Sequence, residues 1–337
     1  MAKPTITIIG LGLTGASIGL GLQQQEGNFE IVGHDKEPEA AGAARKQGAV
    51  HRTEWNLHRA CEGAELIVLA VPLNELDTVL ELIGADLQPD SLVLAVVRVM
   101  QPAIELADKQ LPANVHFVAC HPILSGVGGS LTMRADLFDE VPFCLAPGLE
   151  TDASAVQLAS DFVERLGATP LYMDAQEHDG IIAGVEQLPQ FLGAALMHMF
   201  SDAPGWVEAK KLAGRQFAQT TELASGAERL FSDFQTNRAN LLLRVDQMQE
   251  ALAQWRKLLA LDIDPETLDE EEHPLLTALK QAVAERESWE AQAMLKNWDE
   301  TPRTEVAEGR GMFQQMFFGN LFGGGRKSPD ERETDKS

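Results

Sequence analysis

Residues 5 to 15 read Thr-Ile-Thr-Ile-Ile-Gly-Leu-Gly-Leu-Thr-Gly. A short run of strand character ends in Gly10-Leu11-Gly12-Leu13-Thr14-Gly15, and a helix-forming stretch follows to Gln25. Glycine-x-glycine-x-x-glycine set between a strand and a helix is the loop on which a dinucleotide pyrophosphate rests. Gly10 permits the tight turn. Gly12 lets the backbone approach the phosphates, and Gly15 lets the helix lie close on the strand. Backbone N–H groups where the helix begins, at Leu13 and Thr14, hold the anion, and the helix dipole favours its charge. Asp35 closes the next strand candidate, 20 residues past Gly15. A carboxylate there accepts from both ribose hydroxyls and repels a 2′-phosphate. NAD is therefore expected over NADP, a preference that neighbouring Lys36 weakens without reversing. The alternative is a glycine-rich turn with no ligand.

Outward from this loop, strand candidates at Thr5–Ile9, Glu30–Gly33, Leu66–Val71, Leu92–Val97, His116–Cys120 and Phe143–Leu145 alternate with helix candidates. The helices are Thr14–Gln25, Pro38–Gln47, Asn74–Ile83, Pro102–Lys109 and Ala153–Leu166. The strands are apolar on both faces, as in a largely parallel sheet covered on both sides. That alternation predicts an α/β fold, a Rossmann-type doubly wound sheet over residues 1–174. After Asp174 helix formers dominate, and residues 175–310 are expected to form an all-helical domain. Within it Leu241, Val245, Met248, Leu252, Trp255 and Leu259 are spaced as a heptad seam. Such a seam needs a facing helix, either within its own bundle or in a second subunit. Residues 262–273 form an acidic connector, expected to be a solvated loop rather than a metal site. Residues 311–337 hold a Phe/Met-rich segment, three glycines and a polar tail expected to be disordered. The Phe/Met segment packs either on its own domain or on a partner.

The 337 residues carry 27 Lys and Arg against 51 Asp and Glu, a formal net charge of −24, with a mean hydropathy of −0.12. Such a chain repels nucleic acid and anionic membrane surfaces. No apolar run approaches the roughly 18 residues of a spanning helix. The N-terminus lacks the pattern of a secretory signal, so cytoplasmic residence is expected. Cys61, Cys120 and Cys144 fit neither a disulfide framework nor a zinc site, and are expected to be small buried hydrophobes.

His121 follows the apolar strand His116–Cys120, at the carboxyl end where open α/β sheets bind ligands. Oxidising an alcohol with NAD requires a base for the hydroxyl proton, and imidazole titrates in the right range. A structural histidine is the competing reading. Glu177-His178-Asp179 is expected to serve as helix N-terminal capping and surface charge. The three are consecutive, which does not suit a metal site.

Four segments occur in one order: Gly10 to Gly15; Leu69-Ala70-Val71-Pro72; Cys120-His121-Pro122 with Ser125-Gly126; and Glu177-His178-Asp179 with Leu188-Pro189. In this the chain resembles the prephenate/arogenate dehydrogenase family over about residues 4–260. The resemblance implies a Rossmann domain followed by a helical domain that forms a homodimer. It implies oxidation of the ring hydroxyl of prephenate or arogenate by hydride transfer to NAD(P), with decarboxylation, a step of tyrosine biosynthesis. His121 would be the catalytic histidine, Ser125 would lie with the substrate, and Val71 and Pro72 would border the nucleotide.

The departures are equally specific. Where the family carries Asp-x-x-Ser-x-Lys, this chain reads Val96-Val97-Arg98-Val99-Met100-Gln101. His-Leu-Pro-His becomes Gln187-Leu188-Pro189-Gln190, and the family's Thr-Arg becomes Thr221-Glu222. A cation that grips a substrate carboxylate is thus replaced by an anion, so Arg98 or Arg215 would have to supply the charge. Three readings follow. One is a dehydrogenase of the family with a rebuilt site. Another is a dehydrogenase for a less anionic small molecule. The last is a nucleotide-binding relative without turnover, acting as a sensor or scaffold.

Overall fold

The computed structural model describes residues 3–24, 27–124, 132–148, 150–261 and 273–295. Ser125, the acidic connector up to residue 272 and the whole of 311–337 lie outside the described residues. Eight strands form one sheet: β1 (Thr5–Ile9), β2 (Glu30–His34), β3 (Arg52–Thr53), β4 (Leu66–Leu69), β5 (Leu92–Val96), β6 (His116–Pro122), β7 (Pro142–Pro147) and β8 (Thr169–Tyr172). Their order is β3-β2-β1-β4-β5-β6-β7-β8. The helices of the sheet domain are α1 (Leu13–Gln24), α2 (Pro38–Lys46), α3 (Leu57–Cys61), α4 (Leu73–Ile83), α5 (Gln101–Gln110) and α6 (Ala153–Arg165).

Side chains of alternate strand residues feed two cores. Ile8, Val68, Leu94 and Val118 pack with Ile18 and Leu22 of α1, Ala44 of α2 and Phe162 of α6. Ile9, Ile67, Leu69, Val93, Ala95 and Ala119 pack with Leu76 and Leu80 of α4 and Ala103 and Ala107 of α5. Both faces are covered, which is why the strands are continuously apolar. Each buried leucine or isoleucine contributes about 1.5–3 kcal/mol relative to exposure. All three cysteines are free and buried, as the composition suggested.

The parallel run ends at β6, because β7 pairs with it antiparallel and β8 then runs parallel to β7. An antiparallel partner needs no helical crossover. The described part of the β6–β7 connection holds turns and no helix. The short β3 and the mostly exposed β8 were not expected from the sequence, since neither carries an apolar run.

Beyond β8 no strand occurs among the described residues. The chain continues as α7 (Ala175–Ile182), a π-helical turn at Ala183–Gln187, α8 (Leu188–Ser201), α9 (Trp206–Leu212), α10 (Arg215–Thr220), α11 (Ala227–Thr236), α12 (Arg238–Leu259) and α13 (Pro274–Leu295). An N-terminal Rossmann-type sheet followed by an all-helical region is thus the architecture. By compactness the chain divides into residues 1–245 and 246–337. No described helix is long and apolar enough to cross a membrane.

Candidate active site

The strand order reverses direction beside β1, between β2 on one side and β4 on the other, and the glycine loop leaves β1 at that point. Gly10 has φ +88°, and a Cβ there would lie 2.5 Å from the Ala70 carbonyl oxygen and 3.2 Å from Val71 Cγ1. Only glycine fits this turn. A Cβ on Gly15 would overlap the Gly10 carbonyl oxygen and sit 3.2 Å from Ala70 Cβ. Gly12 differs, because a Cβ there meets nothing within 4 Å. The space above Gly12 is open, as a ligand approaching the backbone requires. The first helical hydrogen bond runs from the Ala16 N–H to the Gly12 carbonyl at 3.0 Å. The N–H groups of Leu13, Thr14 and Gly15 precede it and have no partner in the helix ladder. Pro72, after Val71, sits at the N-terminus of α4.

Asp35 has a role that spacing alone did not reveal. Its Oδ2 accepts from the Leu11 N–H at 2.7 Å and its Oδ1 from the Glu37 N–H at 2.8 Å. The carboxylate therefore braces the glycine loop, and each oxygen keeps a lone pair for a further donor. Lys36, 2.7 Å from Glu75 Oε1, is engaged by that carboxylate on the surface. The residues present thus fit a dinucleotide: a turn only glycine can make, open space over Gly12, free helix-start donors and a fixed carboxylate.

His121 lies within β6, paired across to Cys144 of β7, and is 6% exposed. Its Nδ1 is 3.1 Å from His178 Nε2, with the two rings edge to face. His178 Nδ1 is 3.0 Å from Asp179 Oδ1. Asp179 also accepts from the Met100 N–H at 2.7 Å and the Gln101 N–H at 2.9 Å, where the chain enters α5. These contacts fix the tautomers. A carboxylate only accepts, so His178 donates from Nδ1 and presents Nε2 as an acceptor. His121 then donates from Nδ1, which leaves its Nε2 with the free lone pair. Burial pushes the His121 pKa down to about 3, helped by the neighbouring His178 and Arg98. The ring is neutral in the free protein, and an anionic substrate beside it would pull the value back up.

The expectation that His178 and Asp179 are capping and surface charge is therefore wrong. The N-cap of α7 is Asp174, which accepts from the N–H groups of Gln176 and Glu177. Glu177 is exposed, but His178 and Asp179 are each 2% exposed and joined to His121. Adjacent helix residues share one buried site here because α7 packs its side against the start of α5, which consecutive spacing does not reveal.

The π-helical turn after α7 is marked by the Leu188 N–H bonding to the Ala183 carbonyl. Such turns often accompany functional sites. Side chains from the following helices hold its approach. Asn237 Nδ2 donates to the Asp179 carbonyl at 2.8 Å and to Gln187 Oε1 at 2.9 Å. Arg244 donates from Nε and Nη2 to the Gly180 carbonyl. Gln187 Nε2 donates to the Asp233 carbonyl, and Gln190 Oε1 accepts from the Ala224 N–H. Gln187 and Gln190 thus tie the π turn and α8 to the segments that follow.

A cleft opens beside this turn, lined by Arg98, Glu186, Gln190, Leu230, Asp233 and Phe234. Arg98, in the link from β5 to α5, reaches Asp233 of α11 at 3.7 Å. Burial raises the Glu186 carboxyl above its ordinary range, Arg98 and His178 pull it back, and Asp233 adds to the rise. Val99 is buried and offers no hydroxyl. Arg215 starts α10, is exposed, does not line this cleft, and makes no hydrogen bond or ion pair among the described residues. Sequence reasoning named Arg98 and missed Glu186, Asp233 and Asn237. The offset of a π turn and the long return of α11 are tertiary features with no local signature.

A strand-order reversal with a glycine loop beside β1, and a buried histidine chain on β6 of the same sheet, define a Rossmann-type nucleotide-binding fold with a candidate proton-transfer site. Residues 18–172 match the family model for the prephenate dehydrogenase nucleotide-binding domain, and residues 174–281 match that for the prephenate dehydrogenase dimerization domain. The chain belongs to the prephenate dehydrogenase family. It is 28% identical to the prephenate dehydrogenase of Bacillus subtilis over 75% of this chain and 67% of that one. It is 31% identical to that of Lactococcus lactis over 65% of this chain and 60% of that one. Against the cyclohexadienyl dehydrogenase of Zymomonas mobilis the identity is 26%, over 75% and 86% of the two chains. The matched part thus spans about two thirds or less of the first two relatives. Among solved structures, the prephenate dehydrogenase of A. aeolicus in complex with hydroxyphenyl propionate and NAD+ superposes with a TM-score of 0.75 at 20% identity, covering 85% of this chain and 98% of that one. The arogenate dehydrogenase of Synechocystis gives 0.70 at 22%, covering 85% and 99%. These two likenesses carry the fold. The first family match begins after the glycine loop, so the loop is read from its own geometry.

Proposed function

We propose that this chain is an NAD-dependent dehydrogenase that oxidises a ring alcohol of the prephenate/arogenate type and releases its ring carboxylate as CO2. The observation that carries this reading is the His121–His178–Asp179 chain, which engages His121 through Nδ1 and leaves its Nε2 to act as a base. Gly10, Gly12, Leu13, Thr14, Gly15 and Asp35 would hold NAD, with Val71 and Pro72 bordering it, and Asp35 would favour NAD over NADP. When bound, the nicotinamide supplies the hydride acceptor.

The work of the protein's own residues is then proton handling and orientation. His121 Nε2 takes the hydroxyl proton as hydride leaves the same carbon. Charge developing on the imidazole is met by His178 Nε2, which accepts from Nδ1, and behind it by the Asp179 carboxylate. The electrons of the breaking bond to the ring carboxylate complete the aromatic ring. Arg98 is the cation available in the cleft for a substrate carboxylate, and Ser125 and Arg215 remain proposed substrate contacts. Residues 1–174 are assigned to the nucleotide, 175–310 to substrate and dimerisation, and 311–337 to an appended segment. A cytoplasmic homodimer is the expected setting.

Loss of the hydroxyl at Val99 favours one competing reading, a relative that binds the nucleotide without turnover. The test is NADH formation by the full chain with NAD and either prephenate or arogenate. Turnover supports the dehydrogenase. A folded protein that binds NAD and turns over neither substrate contradicts it.

A further inference from the structure

The charge pattern of the cleft at the π-helical turn allows the substrate to be specified further, on the reading of that cleft as the substrate site. Its walls carry one cation, Arg98, and two carboxylates, Glu186 and Asp233. Arg98 is already drawn toward Asp233, 3.7 Å away. Glu186, on the π-helical turn, is only partly exposed and makes no hydrogen bond or ion pair among the described residues. Ile182, one turn past His178 on α7, also lines the cleft, and His178 lies 3.1 Å from His121, so the cleft adjoins the histidine chain. Around this one cation the wall is acidic, and the whole chain carries −24.

We infer that the site selects a substrate whose side chain ends in an α-amino acid, ammonium beside carboxylate, over the α-keto acid of the same skeleton, with Glu186 receiving the ammonium and Arg98 the carboxylate. The keto acid brings two carboxylates and no cation. It would leave Glu186 facing added negative charge in a partly desolvated cleft, where like charges repel strongly. The amino acid brings a cation to a carboxylate that has no ion pair of its own among the described residues, and that cation favours the ionised form of Glu186. A site that must pair a buried charge discriminates against the analogue without its counter-ion.

Binding and turnover test the inference separately. With NAD present, calorimetry on the full chain would compare L-tyrosine with 3-(4-hydroxyphenyl)propionate, which differ by the ammonium group. The expected result is L-tyrosine tighter by at least about tenfold, with Glu186→Gln narrowing that ratio to within about threefold. The Glu186→Gln variant should keep the melting temperature and NAD affinity of the parent, since the side chain makes no hydrogen bond or ion pair among the described residues. Equal or tighter binding of the propionate, or a ratio unchanged in Glu186→Gln, would overturn the inference. In turnover, arogenate should exceed prephenate in kcat/KM by a similar factor. Prephenate used as well or better would overturn the inference while leaving the dehydrogenase reading intact. Neither ligand bound and neither substrate oxidised, by protein that binds NAD, would remove the dehydrogenase reading and this inference with it.

Discussion

His121 is buried in its neutral form, and that carries a thermodynamic cost in acid. An unfolded histidine titrates near 6.5, whereas the folded pKa is lowered to about 3. Between those values the unfolded state holds one more proton than the folded state. Folding stability is therefore lost as pH falls through 6.5 toward 3, by about 1.4 kcal/mol per pH unit for this group. Urea titrations at pH 7, 6 and 5 should show a shallower acid loss in His121→Gln than in the parent. Equal slopes would mean that the ring is not held neutral. His178 acts through His121 rather than on substrate. His178→Ala should lower kcat by about tenfold with little change in KM, and His178→Gln, whose amide oxygen can accept from Nδ1, should restore part of it. If alanine and glutamine behave alike, the acceptor role is wrong.

Between elements, the glycine loop separates folding from binding. Gly15→Val forces a side chain into the Gly10 carbonyl and should cost several kcal/mol or prevent folding. Gly12→Val meets open space, so its melting temperature should stay near that of the parent while NAD affinity is lost. Thermal melts with and without NAD check both, and a Gly12→Val protein that still gains stability from NAD would contradict the assignment. This loop was legible because its chemistry is local: strand, three glycines, helix and an acidic residue at fixed spacing. The six strands expected from sequence appear, as β1, β2 and β4 to β7, with shifts of a few residues, since continuous apolar runs leave little choice. β3 has two residues and β8 lacks an apolar run, so they depend on neighbours already in place. The chain from His121 to Asp179 was half legible. His121 is marked by its place after a strand, but His178, 57 residues further along the chain, reaches it only because α7 docks at the start of α5.

For the whole molecule, the heptad seam of α12 bears on assembly. Leu241 is buried, yet Leu252 is 58% exposed and Leu259 74% exposed within the single chain. Apolar seam residues left in water need a facing surface, and the matched helical region is of a dimerization type. The chain should sediment as a dimer, and Leu252→Glu should shift it toward monomer without loss of helix content. A parent that sediments as a monomer at micromolar concentration would remove the seam from the interface. The net charge of −24 bears on the same scale, because it works against the approach of a dianionic substrate and leaves a local cation such as Arg98 to offset it.

The most direct test of the central claim compares the parent with His121→Ala in NADH formation from arogenate and prephenate, with NAD affinity measured alongside. A base at His121 Nε2 predicts kcat lower by about 10²–10⁴-fold with NAD binding unchanged. A change of less than about threefold on a substrate that the parent oxidises would contradict the role given to His121 and to the chain behind it.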